Sequence, residues 1–241
     1  ITACISVDAL DDAPYLTMVT KQGVIKRTLL SEYEYQRKGG KIALNLDEGD
    51  ELVYVVATKG ECDLLLATAH GQAVRFSEDN VRAMGRTARG VRGIKLREGD
   101  YVAGVCVVDE GKDLLCITEN GFGKRSFTGE YKRQHRGGRG LICHGVSNKT
   151  GALAGLKLVR ESEEVMLIPD GGIIIRTRIS EIPVYGRSAS GVIVMRLEEG
   201  STVTRFAVVD PETESESKET EETPVEAENI TEAVETVGEE Q

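Results

Sequence analysis

An all-β, propeller-like array of four-stranded units is predicted for this chain by three observations. First, four apolar runs each turn at a glycine and end in basic residues: "LTMVTKQGVIKRT", "LLLATAHGQAVRF", "LLCITENGFGKRSF" and "VMLIPDGGIIIRTR". Their turn glycines, Gly23, Gly71, Gly121 and Gly172, lie 48, 50 and 51 residues apart, and a fixed period of this size marks a repeat architecture. Second, a Gly-rich stretch begins thirteen residues after each turn glycine: "QRKGGKI" at 36–42, "MGRTARG" at 84–90, "QHRGGRG" at 134–140 and "YGRSASG" at 185–191. Third, the apolar runs are short, β-branched and bounded by Gly or Asp, and no window keeps a helical period over three turns.

The third repeat shows the elements in order. "YVAGVCVVD" (101–109) reads as a leading strand, too short and too β-branched for a helix. "DLLCITE" (113–119) and "FGKRSF" (122–127) flank Asn120-Gly121, which predicts a hairpin with a two-residue turn because such turns need positive φ at both central positions. The Gly-rich loop follows, and then a fourth strand, whose copies in the other repeats are "GIKLREGD" (93–100), "IALNLDEGD" (42–50) and "VIVMRLEEG" (192–200). Four strands per repeat match a propeller blade. The repeats run over about 1–49, 50–99, 100–150 and 151–200. A fifth leading strand, "VTRFAVVD" (203–210), matches "ITACISVD" (1–8) but has no hairpin after it; it is expected to close the last blade or cover an open edge.

Charge divides the chain near residue 210. Twelve glutamates against one lysine give residues 211–241 a charge of −11, so a chain at −10 overall carries +1 on its first 210 residues. The tail has too little apolar surface to offset the entropy of ordering and is expected to be disordered. In the near-neutral body, local clustering of charge matters more than net charge. No apolar run is long enough to span a bilayer, and no signal peptide is present. The first residue is Ile, so the chain reads as a fragment. Cys4, Cys62, Cys106, Cys116 and Cys143 form no CxxC and no even framework; they read as small core residues in a reducing cytoplasm.

Cations repeat with the glycines. Arg27, Arg75, Arg125 and Arg176 each stand four residues after a turn glycine, with Lys26 and Lys124 just before two of them and Arg178 after another. Taken singly, each could simply keep a strand end solvated. In a radial array, however, equivalent positions share one side of every blade, and a stripe of one sign is an electrostatic footprint for nucleic acid. The loops add Arg37, Lys38 and Lys41; Arg86 and Arg89 with Arg92; Lys132, Arg133, Arg136 and Arg139; and Arg187. Glycine lets a backbone approach a phosphate and aim N–H groups at it, and arginine offers a planar, always-charged donor fork. A flexible solvated turn is the competing reading of such a loop.

"QHRGGRG" (134–140) resembles the Gln-Arg-Arg-Gly-Gly-Arg/Lys-Gly box of the C-terminal domain found in the A subunit of bacterial DNA gyrase, a type IIA topoisomerase. "QRKGGKI" (36–42), "VRAMGRTARGVRGIKLREGD" (81–100), "NGFGKRS" (120–126) and "RTRISEI" (176–182) are also similar to that family, and the resemblance covers residues 1–210. It implies a β-pinwheel, whose propeller-like blades exchange a strand between neighbours, and a rim that wraps double-stranded DNA without reading sequence. It carries Gln134, Arg136, Gly137, Gly138, Arg139 and Gly140 over to box positions, with His135 replacing an arginine and Ile42 replacing the last glycine of the earlier copy. Family domains usually have six blades with the principal box in the first. The resemblance therefore implies two blades beyond the four seen and makes 134–140 an additional copy.

No catalytic residue is expected on this chain. His70 falls in a hairpin turn, His135 in the box and His144 on a strand face; none has an evident nucleophile partner, and no Walker motif occurs. Tyr131 and Tyr185, beside Gly-Arg loops, read as packing residues or sugar-edge contacts, with packing favoured. The resemblance places the chemistry elsewhere: an ATP-dependent holoenzyme introducing negative supercoils, with ATP and Mg on other regions or subunits and no cofactor or metal here. It implies an A2B2 assembly, in which the rest of the A subunit joins the B subunit, in the bacterial cytoplasm near the nucleoid. The related domain of topoisomerase IV and a protein-binding propeller remain as alternatives.

Overall fold

The computed structural model describes residues 14–34 and 39–211. The leading strand expected at 1–8, the Gln36, Arg37 and Lys38 cluster, Cys4 and the acidic tail fall outside these residues. The strands in chain order are β1 (Tyr15–Thr20), β2 (Val24–Leu29), β3 (Leu52–Thr58), β4 (Asp63–Thr68), β5 (Gln72–Ser77), β6 (Val91–Arg92), β7 (Val102–Val107), β8 (Asp113–Thr118), β9 (Phe122–Phe127), β10 (Leu141–Ile142), β11 (Leu153–Val159), β12 (Glu164–Pro169), β13 (Ile175–Arg178), β14 (Val192–Ile193) and β15 (Val203–Val209). The fold is all-β, with four blades in a propeller-like ring.

Each blade is built on one hairpin and completed from the next repeat. The sheets run β3-β1-β2-β6, β10-β5-β4-β7, β11-β8-β9-β14 and β13-β12-β15. The sequence groups a leading strand with the hairpin after it; the ladders instead join it to the hairpin before. β7 pairs with β4, from Leu64 opposite Val107 to Thr68 opposite Val102. The closing strand behaves the same way: β15 pairs antiparallel with β12 and completes the inner edge of the last blade. The leading strands β3, β7, β11 and β15 border a central cavity of about 840 Å³, lined by residues such as Tyr54, Ala103, Leu156 and Phe206.

Cores form between blades, because alternate residues of a strand point to opposite faces. In β4, Leu64 and Leu66 join the cluster with Val19, Ile25 and Val102, while Leu65 and Ala67 join the one with Leu114, Cys116 and Leu153. In β8, Leu115 and Ile117 turn toward Val165, Leu167 and Ile179. Both middle hairpins are therefore buried on two faces, which explains why "LLLA" and "LLCI" read as unbroken apolar runs. Each fully buried leucine contributes about 1.5–3 kcal/mol. The last hairpin has a neighbour on one face, and β12 alternates: Val165 and Leu167 are buried, Met166 and Ile168 half-buried.

Two local expectations are corrected. The fourth strand is only two residues long, at β6, β10 and β14: β6 lies before the expected 93–100, β14 takes only the first two residues of 192–200, and residues 42–50 contain no strand. After β6 the N–H groups of Gly93 and Ile94 both turn to one acceptor, the carbonyl of Gly23, so the ladder stops there. Nor is the hairpin a two-residue turn. The Gly121 N–H donates to the Thr118 carbonyl at 3.0 Å, and Gly121 has φ 75°, so residues 119–121 separate the strands. This is a turn followed by a left-handed glycine, the usual three-residue hairpin loop. The Thr118 hydroxyl accepts from the Phe122 N–H, and Thr20 and Thr68 do the same for Val24 and Gln72. Gly121 has a second reason to lack a side chain: a Cβ there would stand 2.2 Å from the Met195 carbonyl oxygen.

Candidate nucleic-acid interface

The Gly-rich loops at 84–90, 134–140 and 185–191 are each laid on the outer part of the blade before them in the same way. The N–H groups of Met84, Gln134 and Tyr185 donate to the carbonyls of Arg27, Arg75 and Arg125 at 2.8, 2.7 and 2.9 Å. At the other end of each loop a glycine touches backbone. A Cβ on Gly140 would meet the Ala73 oxygen at 2.2 Å, and one on Gly191 the Gly123 oxygen at 2.3 Å. Only glycine permits this approach, which accounts for the last glycine of the loops at 84–90, 134–140 and 185–191.

Most of the expected arginine stripe is not a solvent-facing cationic surface, and this corrects the sequence reading; Arg75 is half-buried, and Arg176 is exposed but paired. Arg27 is 8% exposed and Arg125 5%. Arg75 bonds Asp63 at 2.7 Å and also Glu110; Arg125 bonds Asp113 at 3.1 Å and lies 3.5 Å from Glu161; Arg176 pairs with Glu164. Three of these acids, Asp63, Asp113 and Glu164, stand twelve residues before their arginine and lie diagonally across the hairpin, each opposite the residue two places beyond the arginine. In the first blade that position is Tyr15, whose ring lies under the Arg27 guanidinium at 4.4 Å, and the acids come instead from Glu78 and Asp79 of the next repeat. The other stripe arginines reach forward too, Arg75 to the Thr128 carbonyl and Arg125 to the Ile182 carbonyl. They are ties between neighbouring repeats. Of the stripe's companions, Arg178 is exposed at the end of β13, while Lys26 and Lys124 are fully buried.

The loop arginines divide as well. Arg86, Arg136 and Arg187 are half-buried, and each donates to a backbone carbonyl of the preceding repeat: Ile42 at 3.3 Å, Arg92 at 3.1 Å and Ile142 at 2.9 Å. Arg136 also donates to the Asn80 carbonyl at 2.7 Å. Arg133 is held by Asp63 at 2.8 Å, and Arg89 pairs with Asp47 although its side chain is 66% exposed. Lys41 is half-buried and donates to the Glu32 carbonyl. Lys132, His135 and Arg139 are exposed, and so is Arg92.

The box joins the preceding short strand into one surface. The Gly137 N–H donates to the Gly93 carbonyl at 2.6 Å, the Lys95 N–H donates to the Gly138 carbonyl at 2.8 Å, and Arg136 reaches Arg92. Exposed Arg92 and Lys95 therefore flank the loop that carries Lys132 and Arg139. Lys95 is not among the cations that the sequence pattern selects; its only signal is its place three residues after Arg92. A cleft of about 330 Å³ between Ser77, Asn80, Arg133, Gln134 and His135 opens beside the same loop. Because the Gly137 N–H is already bonded, it is not available to a phosphate in this conformation.

The remaining candidates are packing residues or lie apart. Tyr131 is buried in the core with Cys116 and Cys143, whereas Tyr185 is 42% exposed. His144 is buried rather than on an open strand face, and burial, with help from the Lys124 charge, pushes its imidazole down to about 4. It is neutral at neutral pH.

Four blades completed by strands from the following repeat, with Gly-Arg loops along their outer edges, define a strand-exchanged β-propeller. The chain belongs to the family described as the DNA gyrase C-terminal domain, beta-propeller, which it matches over residues 14–59, 63–109, 112–160 and 163–210. Each matched segment begins at a hairpin and ends with the next leading strand, as the ladders do. The chain is 48% identical over 204 residues to the A subunit of DNA gyrase from Aminobacterium colombiense, covering 85% of this chain and 25% of that protein. Against the A subunit of DNA gyrase from Escherichia coli the identity is 40% over 203 residues, covering 84% and 23%. The chain thus spans about a quarter of the length of these relatives. Among solved structures it is similar to a DNA gyrase A C-terminal domain, with TM-score 0.74, 27% identity and coverage of 83% of this chain and 67% of that one. It is also similar to the C-terminal domain of DNA topoisomerase IV, with TM-score 0.81, 26% identity and coverage of 87% and 66%.

Proposed function

We propose that this chain binds double-stranded DNA through phosphate contacts and bends it along the loop-bearing edges of its blades, as the wrapping domain of a DNA gyrase A subunit. The observation that carries this reading is the composite surface of Arg92, Lys95, Lys132 and Arg139, whose cations are exposed and pair with no carboxylate among the described residues. Phosphate contacts position a duplex without reading its sequence. The chain would act within an assembly of two A and two B subunits in the bacterial cytoplasm, where ATP-driven negative supercoiling uses chemistry and cofactors outside this chain. The higher structural similarity to a topoisomerase IV domain does not displace this reading, because the box is well kept and the 40–48% identical relatives are gyrase A subunits.

Bending the duplex costs on the order of 1–6 kcal/mol, and contacts on successive blades offset it. A long duplex should therefore bind more tightly than a short one, and fluorophores on its two ends should show increased energy transfer at saturation. Unchanged transfer at saturation would mean a duplex lying straight on one patch.

A further inference from the structure

Two of the lysines that the sequence offers as DNA ligands have other partners in the fold. Lys26 and Lys124 occupy the position just before the stripe arginine, and both are 0% exposed. The Lys26 ammonium donates to the Ala43 carbonyl at 2.7 Å and to the Arg86 carbonyl. The Lys124 ammonium donates to the carbonyls of Gly186 at 2.8 Å and Arg187 at 2.7 Å, and to the Ser126 hydroxyl at 3.0 Å. Each lysine thus lies beneath the Gly-Arg loop of the following repeat and binds its backbone at the second or third loop position.

The loops above them share a conformation that the box lacks. In 84–90 the Ala88 N–H closes a turn on the Gly85 carbonyl at 3.1 Å; in 185–191 the Ala189 N–H closes the same turn on Gly186 at 3.0 Å. Under the box, the position of the lysines is taken by Val74, also fully buried and without a donor. Among the described residues no bond closes His135 to Gly138, and Gly137 has φ 77° where the other loops have Thr87 and Ser188. Lysine below and a closed turn above occur together twice; valine below goes with an open, double-glycine loop.

We infer that Lys26 and Lys124 are positioning residues, whose ammonium groups fix the loops at 84–90 and 185–191 in the conformation that presents their outer side chains to DNA without touching DNA themselves. This rests on the proposed DNA-binding role of the loops. Burial lowers both lysines from the usual range, most simply because the ammonium has exchanged water for carbonyls. Carbonyl oxygens gathered around one ammonium form charge-assisted bonds, the strong kind. The consequence is that 84–90 depends on an atom beneath it, whereas 134–140 is held from the side by Gly93 and Lys95.

A double-mutant cycle tests this in the full chain, read as affinity for a fluorescein-labelled duplex at fixed salt, with urea midpoints recorded for each variant. Arg89→Ala removes the loop's exposed cation, which lies against Asp47 in the unbound chain, and Lys26→Met removes the ammonium at similar volume. Each alone should weaken binding about fivefold. If Lys26 acts through the loop, Arg89→Ala should cost less than about twofold in the Lys26→Met protein. An equal loss in both backgrounds would overturn the positioning role while leaving the loop at the DNA. No loss from Arg89→Ala in the native background would remove the loop from the interface, and the positioning role with it. Should Lys26→Met not fold, Lys26→Gln, which keeps a donor without the charge, is carried through the same cycle with the same two outcomes deciding.

Discussion

Raising the salt concentration from 50 to 200 mM is expected to weaken duplex binding about a thousandfold. The exposed cations Arg82, Arg92, Lys95, Lys132, Arg139 and Arg178 pair with no carboxylate among the described residues. If about six phosphates are neutralised, log affinity should fall against log salt with a slope near −5, because each contact releases a condensed counterion. The stripe arginines add little to this slope, since each already has a carboxylate partner in the fold. Titrations on two unrelated duplexes at several salt concentrations read both the slope and the sequence preference. A flat dependence, or a large preference for one duplex, would contradict binding through phosphates.

The second large effect is on stability. Glu78→Gln should cost about 3–5 kcal/mol, the range for removing one partner of a buried ion pair. Glu78 is 0% exposed. Its carboxylate accepts from the Thr58 hydroxyl, from the Gly60 N–H at 3.0 Å and from the Cys62 thiol at 2.9 Å, and it lies 3.5 Å from Arg27. Arg27 sits on β2 of the first blade, while Glu78 follows β5 of the second, so one carboxylate ties two blades. The amide leaves Arg27, among the described residues, with Asp79 as its one carboxylate, at 3.9 Å and largely exposed. Urea unfolding of the two proteins measures the difference; a loss under about 1 kcal/mol would show that the pair does not hold the blades together.

Much of the fold is legible in the sequence because it is local and repeated. The turn glycines, the hairpin strands and the closing strand at 203–209 each follow from pattern within a short window. The exchange of strands is not readable from spacing, since a leading strand carries the same apolar pattern whichever hairpin it pairs with. The two-residue strands are overestimated for a related reason: "GIKLREGD" alternates well, but its first N–H groups bend to the Gly23 carbonyl. At the site, the pattern finds the loops and misjudges their cations. Arg75 and Arg125 read as surface charges, although Asp63 and Asp113 stand twelve residues before them, across the hairpin. That pairing can be found by counting over the turn. The burial of Lys26 and Lys124 cannot, because it depends on a loop about 60 residues later folding over them.

The central claim is that the exposed cations at the box, and not the carboxylate-paired stripe, meet the DNA. The most direct test is the salt slope of a Lys132→Ala, Arg139→Ala double variant against the native chain. Two lost phosphate contacts should flatten the slope by about two, with stability unchanged to within about 0.5 kcal/mol. A slope equal to that of the native chain would place the DNA somewhere else.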